Sequence, residues 1–80
     1  MGRYYFLTYK TEQKKEPFIL PEELRREILN TEGIRIYHES DTGPCVIVNA
    51  DEKSIEKIRE LESIVRIVDD FENRAFEGYL

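Results

Sequence analysis

Between positions 43 and 70 the chain switches from one apolar rhythm to another and back. Cys45-Val46-Ile47-Val48 is a short unbroken apolar run closed by Asn49. Ala50-Asp51-Glu52-Lys53 then reads as a helix start, and Ile55, Ile58 and Leu61 recur at three-residue spacing, which gathers them on one helical face. Ile64-Val65-Arg66-Ile67-Val68 is a second β-branched run, ending at Asp69-Asp70. Strand, amphipathic helix and strand within about 25 residues form a βαβ unit with a right-handed crossover. The helix must lie on the sheet, because neither element buries its own apolar side chains alone.

The first half repeats the scheme. Arg-Tyr-Tyr-Phe-Leu-Thr-Tyr at 3–9 is dense in aromatic residues, which favours a strand. Positions 10–16 form a charged connection closed by Pro17, expected to be the least ordered interior segment. Pro21 suits the first helical position, and Glu22-Glu23 suit the positive end of a helix dipole. Leu24 and Ile28 make the buried stripe, with Leu29 at its margin, while Arg25, Arg26 and Glu27 face water. Gly33 is placed to end the helix in a left-handed conformation. Positions 34–39 alternate as a strand, with Ile34, Ile36 and His38 on one face and Arg35, Tyr37 and Glu39 on the other. The Asp41-Thr42-Gly43-Pro44 turn leads into the third strand.

The order strand, helix, strand, strand, helix, strand predicts an α+β, ferredoxin-like βαββαβ fold, a four-stranded antiparallel sheet with two helices on one face. Ile34, Ile36, Val46, Val48, Val65 and Ile67 are expected to face the helices. The opposite face then carries Arg35, Tyr37, Cys45, Ile47, Arg66 and Val68. The first strand adds either Tyr5, Leu7 and Tyr9 or Tyr4, Phe6 and Thr8; alternation leaves both open. A sheet face of aromatics, aliphatics and two arginines is an interaction surface, for a partner or for a second copy of the chain.

Eighty residues make one domain, 1–80, with 71–80 as an extended C-terminal tail. The tail carries Phe71, Phe76, Tyr79 and Leu80, and fits either a loose terminus or a peptide that docks into a partner's groove. The formal charge of −5 argues against binding nucleic acid by phosphate neutralisation unless basic residues are segregated on one face. Ferredoxin-like RNA binders also carry aromatics on the third strand, and positions 45–49 have none. No apolar run approaches the roughly 20 residues of a membrane span. Strand-like sequence from Arg3 leaves no room for a signal peptide, so a cytoplasmic chain or an excised prosegment is expected. Phe6 stands where an N-myristoylation motif needs Ser or Thr. Abundant Glu, Lys, Arg and Ile without Trp would suit a thermophile.

Candidate chemistry is thin. Cys45 is the only thiol and His38 the only imidazole. They lie close across a short turn but are expected on opposite faces, and a Cys within a β run is far more often a small buried hydrophobe than a nucleophile. The glycines are scattered, so no phosphate loop is formed. Asp69, Asp70 and Glu72 make an acidic cluster at a strand end. It reads as a solvated terminus, as a metal site, or as a cap for a partner's helix N-termini; metal is the less favoured, since hard cations collect more oxygen ligands in one tight loop. No enzyme activity, cofactor or metal is expected.

Three stretches carry a family resemblance: Tyr4-Tyr5-Phe6-Leu7-Thr8-Tyr9-Lys10, the helix from Asp51 to Leu61, and Ile64-Val65-Arg66-Ile67-Val68-Asp69-Asp70. Together they resemble the subtilisin propeptide-like inhibitor family, whose closing strand has the form Val-x-x-Val followed by acidic residues. The resemblance implies a ferredoxin-like inhibitor or intramolecular chaperone of a subtilisin-like serine protease. It implies that the open sheet face, including Arg35, Tyr37, Arg66 and Val68, packs on two protease helices capped by Asp69, Asp70 and Glu72. The tail, Phe76, Glu77, Gly78, Tyr79 and Leu80, would enter the active-site cleft like a product. Leu80 in the first subsite puts Glu77 in the fourth; Tyr79 in the first puts Phe76 in the fourth, a better chemical fit that leaves Leu80 beyond the family's usual end. The alternative is a small homodimeric ligand-sensing or scaffold domain.

Overall fold

The computed structural model describes residues 2–69. Asp70, Glu72 and the tail residues Phe76 to Leu80 lie outside the described residues. The elements run β1 (Arg3–Tyr9), α1 (Glu22–Asn30), β2 (Ile34–Glu39), β3 (Cys45–Ala50), α2 (Glu52–Arg59) and β4 (Ile64–Asp69). The four strands form one sheet in the order β2-β3-β1-β4, antiparallel throughout. This is the expected α+β ferredoxin-like arrangement, two split βαβ units interleaved.

Register settles the face of β1. Leu7 lies opposite Val46 on one side and Ile67 on the other, and Tyr5 lies opposite Val48. Tyr5, Leu7 and Tyr9 are therefore core, and Tyr4, Phe6 and Thr8 look the other way. The core joins these three to Val46, Val48 and Ala50 of β3, Ile34 of β2, Leu24 and Ile28 of α1, and Ile55 and Ile58 of α2. Leu20, just before α1, also belongs to it. Both helices thus pack on one sheet face.

The helix ends follow local chemistry. α1 begins at Glu22, one residue after Pro21, whose carbonyl accepts from Arg25 N–H. Its buried positions are Leu24 and Ile28; Leu29 is 57% exposed, a residue past the stripe. α2 is capped by Asp51, whose Oδ1 accepts from Ser54 N–H at 2.8 Å, satisfying a donor that the first turn otherwise leaves unpaired. Gly33 has φ +85°, but the C-cap of α1 is Thr31, in extended backbone; the left-handed glycine serves the turn into β2 rather than the helix end. In the connection before α1, the Gln13 side chain donates to the carbonyls of Lys15 and Pro17 and accepts from Ile19 N–H.

Strict alternation fails at two places, each time by one inserted residue. In β2, Ile36 pairs with Val48 and His38 with Ile47, so Tyr37 is a bulge. His38 is thereby turned off the helix face, and Glu39 is turned onto it, opposite Val46. Glu39 there accepts a forked pair of hydrogen bonds from Arg25, the second at 2.9 Å, so Arg25 does not simply face water. In β4, Thr8 pairs with Arg66 but Tyr9 with Ile64, which makes Val65 the extra residue. Ile64 takes the core place expected for Val65, and Val65 is 60% exposed.

Candidate functional site

The candidate site is the sheet face on which no helix lies among the described residues. Register assigns to it Tyr4, Phe6 and Thr8 of β1, Arg35 and His38 of β2, Cys45, Ile47 and Asn49 of β3, and Arg66 and Val68 of β4. Tyr37 joins them through the bulge: its ring meets Tyr4 edge-to-face, with centroids 5.0 Å apart and planes at 71°, a favoured aromatic geometry. Ile47 is only 3% exposed, so it forms the floor of this face. Arg35, Tyr37, Arg66 and Val68 all lie on it, as the alternation of their strands had placed them.

Charge is distributed unevenly between the faces. Arg3, Arg25 and Arg59 each hold a carboxylate: Arg3 reaches Asp69 at 3.4 Å and Glu52 at 3.5 Å, Arg25 holds Glu39, and Arg59 reaches Glu56 at 3.5 Å. Arg35 and Arg66 make no ion pair among the described residues. No strand position on the open face is Asp or Glu. A chain of net charge −5 therefore presents a cationic, aromatic face.

At the end of this face near the β2–β3 turn lies a hollow of about 430 Å³. Phe6, Ile47 and Val68 line it with apolar surface, Thr8, Ser40 and Thr42 with hydroxyls, and His38, Cys45 and Arg66 with more reactive or charged groups. Ser40 Oγ lies 3.2 Å from Thr42 Oγ1 and accepts from Thr42 N–H at 3.3 Å, which shapes the turn. The β2 bulge brings His38 and Cys45 to the same hollow, where alternation alone had put them on opposite faces. They make no side-chain hydrogen bond to one another, and burial pushes the Cys45 thiol above its ordinary pKa. An activated cysteine needs the opposite shift.

The acidic cluster is seen only in part. Asp69 lies opposite Tyr5 on the helix side of the sheet and pairs with Arg3. Burial, followed by the charge of Asp69, raises the Tyr5 pKa. Among the described residues no three His, Cys, Asp or Glu side chains gather as a metal site, and no helix is long and apolar enough to cross a membrane. The Arg25–Glu39 fork and the hydroxyl-lined hollow were not foreseen in the sequence. Their only trace is the run Tyr37-His38-Glu39-Ser40, where apolar alternation stops. No protein-family model matches the chain, nor does any curated protein or solved structure.

Proposed function

We propose that this chain is a protein-binding domain that docks through its helix-free sheet face, and that its partner is a subtilisin-like serine protease which it inhibits or helps to fold. The observation that carries the reading is the make-up of that face: Tyr4, Phe6, Tyr37, Ile47 and Val68 interleaved with Arg35 and Arg66. Aromatic and arginine side chains around an apolar floor are the composition of binding hot spots. The resemblance in β1, α2 and β4 supplies the partner class. On this reading the face packs on partner helices, Asp70 and Glu72 meet the N-terminal amides of those helices, and Phe76 to Leu80 occupy the cleft; Asp69, held by Arg3 on the other side of the sheet, takes no part in that cap.

Self-association through the same face is the weaker reading. Two copies laid face to face would bring Arg35 and Arg66 to a surface that offers no strand carboxylate. The test is titration of the chain into a subtilisin-like protease, following hydrolysis of a chromogenic peptide. Inhibition is expected, weakened about tenfold or more by Tyr37→Ala and by deletion of residues 76–80. Absence of inhibition at micromolar concentration would overturn the protease reading. Sedimentation as a dimer that Tyr37→Ala dissociates would transfer the face to self-association.

A further inference from the structure

We propose that the hollow at the β2–β3 end of the sheet is a binding site for a small ligand with an apolar body and one anionic head, a carboxylate or a phosphate. This goes beyond docking of a protein and does not rest on it. The volume, about 430 Å³, falls within the size range of small-molecule sites, which are mostly apolar with a few convergent polar groups. Phe6, Ile47 and Val68 supply the apolar surface, and Ile47 is 3% exposed. Arg66 supplies the charge. Its guanidinium has no ion-pair partner among the described residues, and its planar fork matches two oxygens of a carboxylate or phosphate. Thr8 is directly opposite Arg66 in the β1–β4 register, so a hydroxyl donor starts from the same face beside it. Among the described residues no Asp or Glu lines the hollow, although acidic residues outnumber basic ones 17 to 12 in the chain. The described lining thus favours an anion, which meets Arg66, over a cation, which Arg66 repels.

The experiment is amide NMR on the full chain alone, titrated separately with benzoate, phenyl phosphate and benzyl alcohol. Saturable shifts at Thr8, Cys45, Ile47 and Arg66 are expected with at least one anion, and binding about tenfold weaker with the neutral alcohol. Arg66→Met should abolish that preference for the anion. Arg35→Met, on the same face at the other end of the sheet, should leave it intact. Absence of saturable shifts up to about 10 mM, equal binding of alcohol and anion, or a preference that survives Arg66→Met would overturn the proposal. Because no protease is present, these outcomes are separate from those of the inhibition assay.

Discussion

The Ser54 hydroxyl donates to the Glu32 carbonyl at 2.6 Å, joining the first turn of α2 to the connection between α1 and β2. Ser54 is 4% exposed, so its hydroxyl has little water as a substitute partner. Ser54→Ala should cost about 1 kcal/mol, since it removes a part-buried hydrogen bond between two elements. For a domain this small, each kcal/mol lowers the melting midpoint by about 4–8 °C, which thermal unfolding followed by circular dichroism will resolve.

Gly33 sits against the same joint. A Cβ there would lie 2.6 Å from Ser54 Oγ and 2.8 Å from Asp51 Oδ2, in a backbone with φ +85°. Gly33→Ala is therefore expected to cost about 2 kcal/mol or more, combining left-handed strain with displacement of the α2 cap. Denaturant unfolding should rank it below Ser54→Ala; a variant as stable as the parent would contradict the close approach.

Asp51 makes acid stability depend on this cap. Hydrogen bonding from the Ser54 backbone N–H, foremost, holds its carboxyl below the ordinary pKa. A depressed folded-state pKa stabilises the fold above the unfolded value of about 4, and the contribution is lost as pH falls through the folded pKa. Asn caps helices about as well as Asp. Asp51→Asn should thus leave the urea midpoint near the parent's at neutral pH and flatten its decline in acid.

Tyr9 offers a stabilising change. It is 3% exposed, and its hydroxyl finds no hydrogen-bond partner among the described residues. A buried unpaired hydroxyl is unfavourable, so Tyr9→Phe should raise stability by about 1 kcal/mol. Burial, then the neighbouring Cys45, raises the phenol's pKa. Its contribution is present below the unfolded value of about 10 and disappears as pH rises past the folded one. The parent should therefore weaken in strong alkali more steeply than Tyr9→Phe, as denaturant midpoints across that range will report.

The Arg25–Glu39 fork clamps α1 to the end of β2. The two side chains are 30% and 34% exposed, which leaves solvent screening in force. A double-mutant cycle on Arg25→Ala and Glu39→Ala should return a coupling of about 0.5–1 kcal/mol, reduced in high salt.

The element order was legible because periodicity changes sharply along the chain. Val46 and Val48 alternate, whereas Ile55 and Ile58 recur at helical spacing, and both patterns are buried as expected. The orientation of β1 was not legible, since Tyr4, Phe6, Tyr5 and Leu7 are apolar on both sides; only the register with Val46 and Val48 decides it. Nor do bulges announce themselves. One inserted residue at Tyr37 exchanges the faces of His38 and Glu39, and one at Val65 passes a core place to Ile64. The hollow depends on the first of these shifts for His38, so its lining could not be assembled from alternation. Arg35, Tyr37, Arg66 and Val68 were placed correctly because Arg35, Arg66 and Val68 lie outside the inserted positions and Tyr37 bends to the side already assigned to it.

The two bulges also fall on the two outermost strands, β2 and β4. A straight outer strand offers unpaired amides and carbonyls as a template for another strand, and so invites open-ended growth of the sheet from molecule to molecule. An extra residue breaks the regular spacing of those groups and increases the local twist. Both borders of this sheet are interrupted in that way. Strand-by-strand polymerisation along either described border is thereby obstructed, which keeps a sheet of only four strands from seeding a fibre.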